Sequence, residues 1–287
     1  MRKLLKAVFA LALLGQAAAA TPTPIDPPSL TADVAAGALP AAAGRVPQEP
    51  LVGGFETLGR TTGKSGGRLR TLLPKDKDVR LLNVWGYARL VGYDENLQIR
   101  PDILKAIEIT DNRIFTMHLR KGHKWSDGAP FTSEDFRYYW EDIASNPDLT
   151  PAGIPEELTV DGVPPVFTVI DETTVRYEWP TPNPRFLALL AQAREPYIYR
   201  PAHYLKRFHI KYGDKADIDA LVAAEKVKGW AALHNRRDSM YDNDNPEMPS
   251  LQPFVIEPGG GPVFHFRRNP YFHRLDPYGM QLPYLDG

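Results

Sequence analysis

Apolar and polar positions recur with recognisable periods only in the later part of the chain. Residues 68–73 (RLRTLL) predict a strand closed by Pro74, and residues 76–80 (DKDVR) a polar loop. Residues 81–90 are too uniformly apolar for periodicity to separate helix from strand. Across 114–120 the alternation is clean. Phe115, Met117 and Leu119 point one way, Thr116, His118 and Arg120 the other, which predicts a strand. Ser126-Asp127-Gly128 signals a turn. Thr132 then stands as N-cap of a helix with Glu134 and Asp135 in its first turn, where carboxylates favour the positive helix end. Phe136, Tyr139, Trp140 and Ile143 recur at helical spacing, so one aromatic face is buried, and Asn146-Pro147 stops the helix.

Residues 166–170 and 173–179 predict a hairpin over Asp171-Glu172, with Val175, Tyr177 and Trp179 on one face. Asn183-Pro184 opens a helix to about Ala193, and Pro201 a short one. Residues 217–233 predict an amphipathic helix, weakened at Gly229. Residues 263–267 predict a strand, followed by a turn-rich tail. The class is α+β, with no sustained βαβ alternation.

Before residue 66 the pattern disappears. Arg2, Lys3 and Lys6 precede a short apolar run ending near Leu14, and Ala18-Ala19-Ala20 supplies small residues for cleavage. Residues 1–20 therefore read as a secretory signal, too short for a membrane span. Residues 21–66 are rich in Pro, Ala and Gly. Residues 21–50 hold seven prolines and no aromatic side chain, so burial cannot offset ordering entropy and a flexible leader is expected.

The composition excludes several chemistries. The 287 residues carry a net charge of −1, which argues against a nucleic-acid binder. Cysteine is absent, so disulfides, thiolate metal sites, a cysteine nucleophile and a lipidated N-terminal cysteine are ruled out. No phosphate loop, dinucleotide fingerprint, GxSxG or HExxH is present. The seven histidines match no metal-ligand spacing. Adjacent acids such as Glu141 and Asp142 diverge by about 100° on a helix, and read as caps or solvated faces. Neither metal nor cofactor is expected. Aromatic residues are plentiful, and core packing accounts for most of them. Trp85 and Tyr87, flanking Gly86 just after the charged loop, are candidates for a partly exposed ligand platform.

The run from Arg113 to Ile143, RIFTMHLRKGHKWSDGAPFTSEDFRYYWEDI, resembles the signature of family 5 extracellular solute-binding proteins. Residues 66–70 (GGRLR), 87–97 (YARLVGYDENL), 101–104 (PDIL) and 171–179 keep the family's order, as do 268–272 (RNPYF), Asp276 and 281–286 (QLPYLD). The resemblance covers about residues 66–287. It implies a periplasmic-binding-protein-like α+β fold, with a mixed-sheet main lobe over 67–92 and 166–287. A smaller α/β subdomain, 93–165, carrying the WSDG signature, is inserted into that lobe. It also implies a solute enclosed between two lobes. Family members are substantially longer, so the second lobe is expected to be absent here and the chain to be an N-terminal fragment. Trp125 and Phe131 can staple strand to helix, which makes the WSDG run structural.

The implied function is capture of a small solute, an oligopeptide, in the periplasm and its delivery to an ABC permease, without a lipid anchor and as a monomer when full length. In the lobe present, Asp78, Arg80, Trp85 and Tyr87 are the ligand-facing candidates, with Asp78 or Arg80 placed to meet a ligand terminus. Two rivals stand beside this reading: an exported hydrolase, which needs a convergent acid, base and nucleophile, and a periplasmic structural or chaperone-like protein without a small ligand.

Overall fold

The computed structural model describes residues 21–54, 59–259, 261 and 263–287. The signal reading of residues 1–20 lies outside the described residues. In chain order the helices are α1 (Thr31–Ala35), α2 (Ala42–Arg45), α3 (Leu81–Gly86), α4 (Ser133–Arg137), α5 (Phe186–Ala191), α6 (Ala202–Leu205), α7 (Lys215–Glu225) and α8 (Trp230–Arg237). The strands are β1 (Leu51–Val52), β2 (Val91–Tyr93), β3 (Ile99–Pro101), β4 (Leu104–Thr110), β5 (Ile114–Leu119), β6 (Val166–Asp171), β7 (Thr174–Glu178), β8 (Phe254–Ile256), β9 (Phe266–Arg268) and β10 (Arg274–Leu275). The content is mixed α+β, as the periodicities imply.

The largest sheet is antiparallel, ordered β4-β5-β7-β6. Its alternation is the predicted one. Phe115, Met117, Leu119, Val175 and Tyr177 are buried on one face. There Phe115 meets Trp179 edge-on at 5.8 Å, Trp179 meets Phe186 at 4.7 Å, and Trp140 meets Tyr177 at 5.7 Å. On the other face Arg176 Nε donates to Thr116 Oγ1. β5, from the span assigned to an inserted subdomain, pairs with β7 from the span assigned to the main lobe. The boundary drawn at 165/166 therefore runs through one hydrogen-bonded sheet.

α4 starts where Thr132 predicts. Thr132 Oγ1 accepts the Glu134 N–H, and Asp135 Oδ2 accepts the Thr132 N–H, a reciprocal capping box. Asp135 Oδ1 also accepts the Ala202 N–H at 3.0 Å, joining α4 to α6. Burial pushes this carboxyl up to about 7, against the pull of those two backbone bonds. The helix continues as a π-helical run, Tyr138–Ala144, which buries Tyr138, Tyr139 and Trp140 in succession. The strand–helix staple is present: Trp125 is fully buried and edge-on to Phe131 at 5.5 Å. The turn between them needs Gly128, which has φ +91°, and a Cβ there would lie 2.8 Å from the Tyr271 hydroxyl.

Several expectations change. The helix predicted over 217–233 is two, α7 and α8, broken where Lys226 adopts a left-handed conformation, φ +54°. α5 begins at Phe186, two residues beyond Pro184. Residues 68–73 form no strand.

Most clearly, residues 21–54 pack along the C-terminal segment and do not form a loose leader. Ile25 N–H donates to Gly279 O, Gln281 N–H donates to Ile25 O, and β1 runs parallel to β10. Arg45 is fully buried. It pairs with Asp26 at 2.9 Å and donates to Pro40 O, Pro270 O and Gln281 Oε1. Backbone bonds, one guanidinium and a few small buried side chains (Leu30, Ala42, Val46) do the ordering, so the absence of aromatic residues is a poor guide here.

In α8, the buried His234 places Nε2 2.7 Å from the Tyr138 hydroxyl. Asp238, His209 and Arg200 also face it electrostatically. Burial lowers its pKa to about 4, with Asp238 pulling the other way. The unfolded chain takes up a proton below about 6.5 that the folded chain refuses, so stability falls as pH drops from about 6.5 towards 4. In urea titrations at pH 7.5 and 4.5, His234→Gln is expected to lose less stability than wild type, by on the order of 3 kcal/mol. Equal losses would show that His234 is not responsible.

Candidate functional site

A cleft of about 660 Å³ opens beside α3, within the size range of small-molecule sites. Its floor is a hydrogen-bonded layer of short extended pieces. β8 pairs with β9, Arg268 N–H donates to Asp286 O, and Asp286 N–H donates to Gly67 O. Leu69 N–H donates to Gly287 O. Residues 66–69 thus form the outer lane of this layer. Within the expected strand at 68–73 the Leu69 bond to Gly287 O is not continued into a ladder, and no strand is formed.

The lining is mainly apolar. Phe254 comes from β8, Phe264 from the residues leading into β9, Phe266 from β9 itself, Leu82 and Trp85 from α3, and Leu285 from the tail. Leu72 is 95% exposed, Leu69 65%, Val263 58% and Trp85 52%. So many exposed apolar side chains on one wall mark a recognition surface. The polar lining is Arg68, Arg70, Thr71, Asp76 and His265. The β8–β9 ribbon also borders a smaller pocket of about 100 Å³ on its other side. Val255 and Arg267 line that pocket with Ser126 and Asp127 of the WSDG turn. The alternation of side chains along a strand puts Phe254 and Phe266 on one face and Val255 and Arg267 on the other, while Ile256, at the end of β8 on the Phe254 face, also lines the smaller pocket.

Of the four sequence candidates, the structure brings Trp85 into the cleft. Asp78 and Arg80 lie in a 3-10 turn, Asp76–Arg80, and it is Asp76 at its start that lines the wall. Asp78 is half-buried and outside the lining. Arg80 stands over the Tyr241 ring, 5.9 Å from its centroid. Tyr87 is a correction. It caps α3 in a left-handed conformation, φ +43°. Its hydroxyl donates to Ala191 O at 2.7 Å and accepts the Tyr93 N–H at 3.2 Å. Its ring carries the Arg89 guanidinium. It is a brace for the turn that follows Trp85, and not a platform.

Behind that turn lies a buried ionic knot. Asp102 accepts from Arg89 N–H at 2.9 Å, His273 Nε2 at 2.8 Å, Arg274 Nε at 3.0 Å and Arg274 Nη2 at 2.6 Å. Arg274 also donates to Tyr87 O. Burial alone would raise the Asp102 pKa, but Arg274 and His273 hold it well below the usual range. An ionised Asp102 only accepts hydrogen bonds, so His273 Nε2 carries the proton in this pair. Burial holds His273 down to about 4. The knot fixes the exit of α3 and hence the aim of Trp85.

Sequence reasoning missed the Phe254, Phe264 and Phe266 wall, which stands about 170 residues from α3 in the chain. Alternating aromatics at 264 and 266 were a signal of a one-sided surface. Among the described residues, no group of three or more His, Asp or Glu converges in a way that could hold a metal ion.

The family model for bacterial extracellular solute-binding proteins, family 5 (Middle), matches residues 98–287. The periplasmic alpha-galactoside-binding protein of Rhizobium meliloti (strain 1021) is 29% identical over 273 residues, covering 88% of this chain and 37% of that protein. The periplasmic oligopeptide-binding protein OppA of Escherichia coli (strain K12) is 28% identical over 144 residues, covering 45% of this chain and 26% of that one. Among solved structures, an oligopeptide-binding protein OppA superposes with a TM-score of 0.79 at 32% identity, covering 91% of this chain and 40% of that one. The periplasmic binding protein MelB of Agrobacterium fabrum C58, in complex with stachyose, gives 0.67 at 26% identity, covering 93% and 40%. The chain spans 37% of the galactoside-binding relative and 40% of each of these two solved chains.

Proposed function

The chain belongs to the bacterial extracellular solute-binding proteins of family 5, and we propose that it captures an oligopeptide in the periplasm for delivery to an ABC permease. The cleft wall built around Trp85 carries this reading. Leucines and phenylalanines offer tolerant apolar contacts for peptide side chains, with few polar groups to orient the ligand. The similarity to oligopeptide-binding structures supports the same choice. Relatives that are periplasmic by name support the location, and no helix among the described residues is long and apolar enough to cross a membrane. The protein acts by binding, as its relatives do by name, and the solute leaves chemically unchanged.

A second reading has its own support. The relative matching 88% of the chain binds alpha-galactosides by name, and an exposed indole such as Trp85 also suits the apolar face of a sugar. Calorimetry with tri- to pentapeptides and, separately, stachyose distinguishes the two. Peptide binding without stachyose binding is expected, and the reverse would replace the peptide reading.

Trp85→Ala is expected to weaken solute binding by about thirtyfold or more, the scale of an aromatic hot spot. Its melting temperature should stay within about 2 °C of wild type, because the side chain is half-exposed. Unchanged affinity would remove Trp85 from the site.

A further inference from the structure

We propose that Arg80 and Arg194, gathered on the ring of Tyr241, form a binding site for an oxyanion. Three separate segments build it. Arg80 closes the 3-10 turn before α3. Asn83, in the first turn of α3, holds the Tyr241 loop by donating to Met240 O at 3.1 Å and Tyr241 O at 2.8 Å. Arg194 reaches in from the segment after α5, with its guanidinium carbon 4.5 Å from the Tyr241 centroid; that of Arg80 is at 5.9 Å. Asn83 and Trp85 lie about 200° apart around α3, so this site is on the flank away from the cleft.

Two guanidiniums also share the ring of Phe208, those of Arg207 and Arg237, but there Arg237 is paired with Glu225. Arg137, Arg200, Arg237 and Arg274 each meet a carboxylate within the protein. Among the described residues, neither Arg80 nor Arg194 has a carboxylate within ion-pair distance, although Asp242 follows Tyr241 in the chain. Their shared ring limits their separation to about 10 Å, one Debye length at about 0.1 M salt. Repulsion between them is therefore felt at low ionic strength. Arg80 Nε is moreover shut away from solvent without an acceptor. A guanidinium presents planar, forked donors that match a carboxylate or phosphate. An oxyanion seated at this ring edge would offset the repulsion and give the stranded donor a partner.

A solute's terminal carboxylate and free inorganic phosphate share this chemistry, and the test separates them. Full-length protein is titrated with sodium phosphate against sodium chloride of equal ionic strength, then with tri-alanine and tri-alanine amide. The expected result is saturable binding of phosphate or tri-alanine, weakened about tenfold or more in Arg194→Ala and in Arg80→Gln. Arg194 is exposed, so Arg194→Ala should keep the wild-type melting temperature in plain buffer. Tri-alanine binding with loss in the amide assigns the site to a solute carboxylate; phosphate binding alone assigns it to the inorganic ion. Absence of both, or affinities unchanged in both variants, overturns the proposal. Peptide binding that depends on Trp85 but neither arginine would sink this site and leave the solute-capture reading standing.

Discussion

Replacing Asp102 by alanine is expected to destabilise the protein by about 3–5 kcal/mol, the usual cost of stripping one partner from a buried ion pair. In a chain of this size that corresponds to roughly 6–20 °C in melting temperature. The reason lies in the donors left behind. Arg274, only partly exposed, would keep its charge with its carboxylate gone, and Arg89 N–H and His273 Nε2 would lose their acceptor. Asp102→Asn should lose less, since one oxygen still accepts while the charge is gone. The pH dependence has a definite sign. The folded-state pKa is depressed, so this stabilisation is complete above the unfolded value near 3.9 and is lost as pH falls towards the folded one. Urea denaturation at pH 7 and pH 3.5 measures both effects. A loss below 1 kcal/mol for Asp102→Ala at pH 7 would show that water reaches the knot and satisfies it.

The second large effect is expected at Arg45. Arg45→Ala removes a fully buried guanidinium and leaves Pro40 O and Gln281 Oε1 without a donor, while Asp26 keeps only the Ala42 N–H and Pro270 O only Gln281 Nε2. The cost should again be about 3–5 kcal/mol, but concentrated in one region. Residues 21–53 touch the body mainly through discrete bonds, such as Ile25 with Gly279 and Gln281, and Leu51 with His273. Hydrogen exchange should therefore speed up at Ile25, Leu51 and Gly53 while the amides of β5 and β7 remain protected. Uniform acceleration across both regions would show instead that the N-terminal segment and the sheet unfold as one unit. Arg45→Met, which keeps volume but no donor, should behave like alanine if hydrogen bonding is the cause.

The contrast between these regions explains what was legible. β5, β7 and α4 announce themselves because burial there follows a period of two or of 3.6, and Thr132 caps where its chemistry requires. The residues from Thr21 to Gly54 carry no such period. Their order comes from long-range backbone pairing and from Arg45, whose burial only its distant acceptors make possible. The break after α7 was half-legible: Gly229 weakened the helix, but the left-handed Lys226 was not predictable from its identity. At the cleft, Trp85 is singled out by its place after a charged turn, and it lines the wall. Tyr87 looked equivalent and is not, since the decisive contact is a carbonyl at position 191. Composition marks the loop from Asp76 to Arg80 but not which of its faces meets the cleft, where Asp76 lines the wall.

The three-residue strands β8 and β9 make a partition one backbone thick, with a different chamber on each side. Such a wall has little mass to absorb a push. A guest pressing on Phe254 and Phe266 would tilt the reverse face by a similar amount, and a fluorophore attached at position 267 would serve as a remote gauge of cleft occupancy.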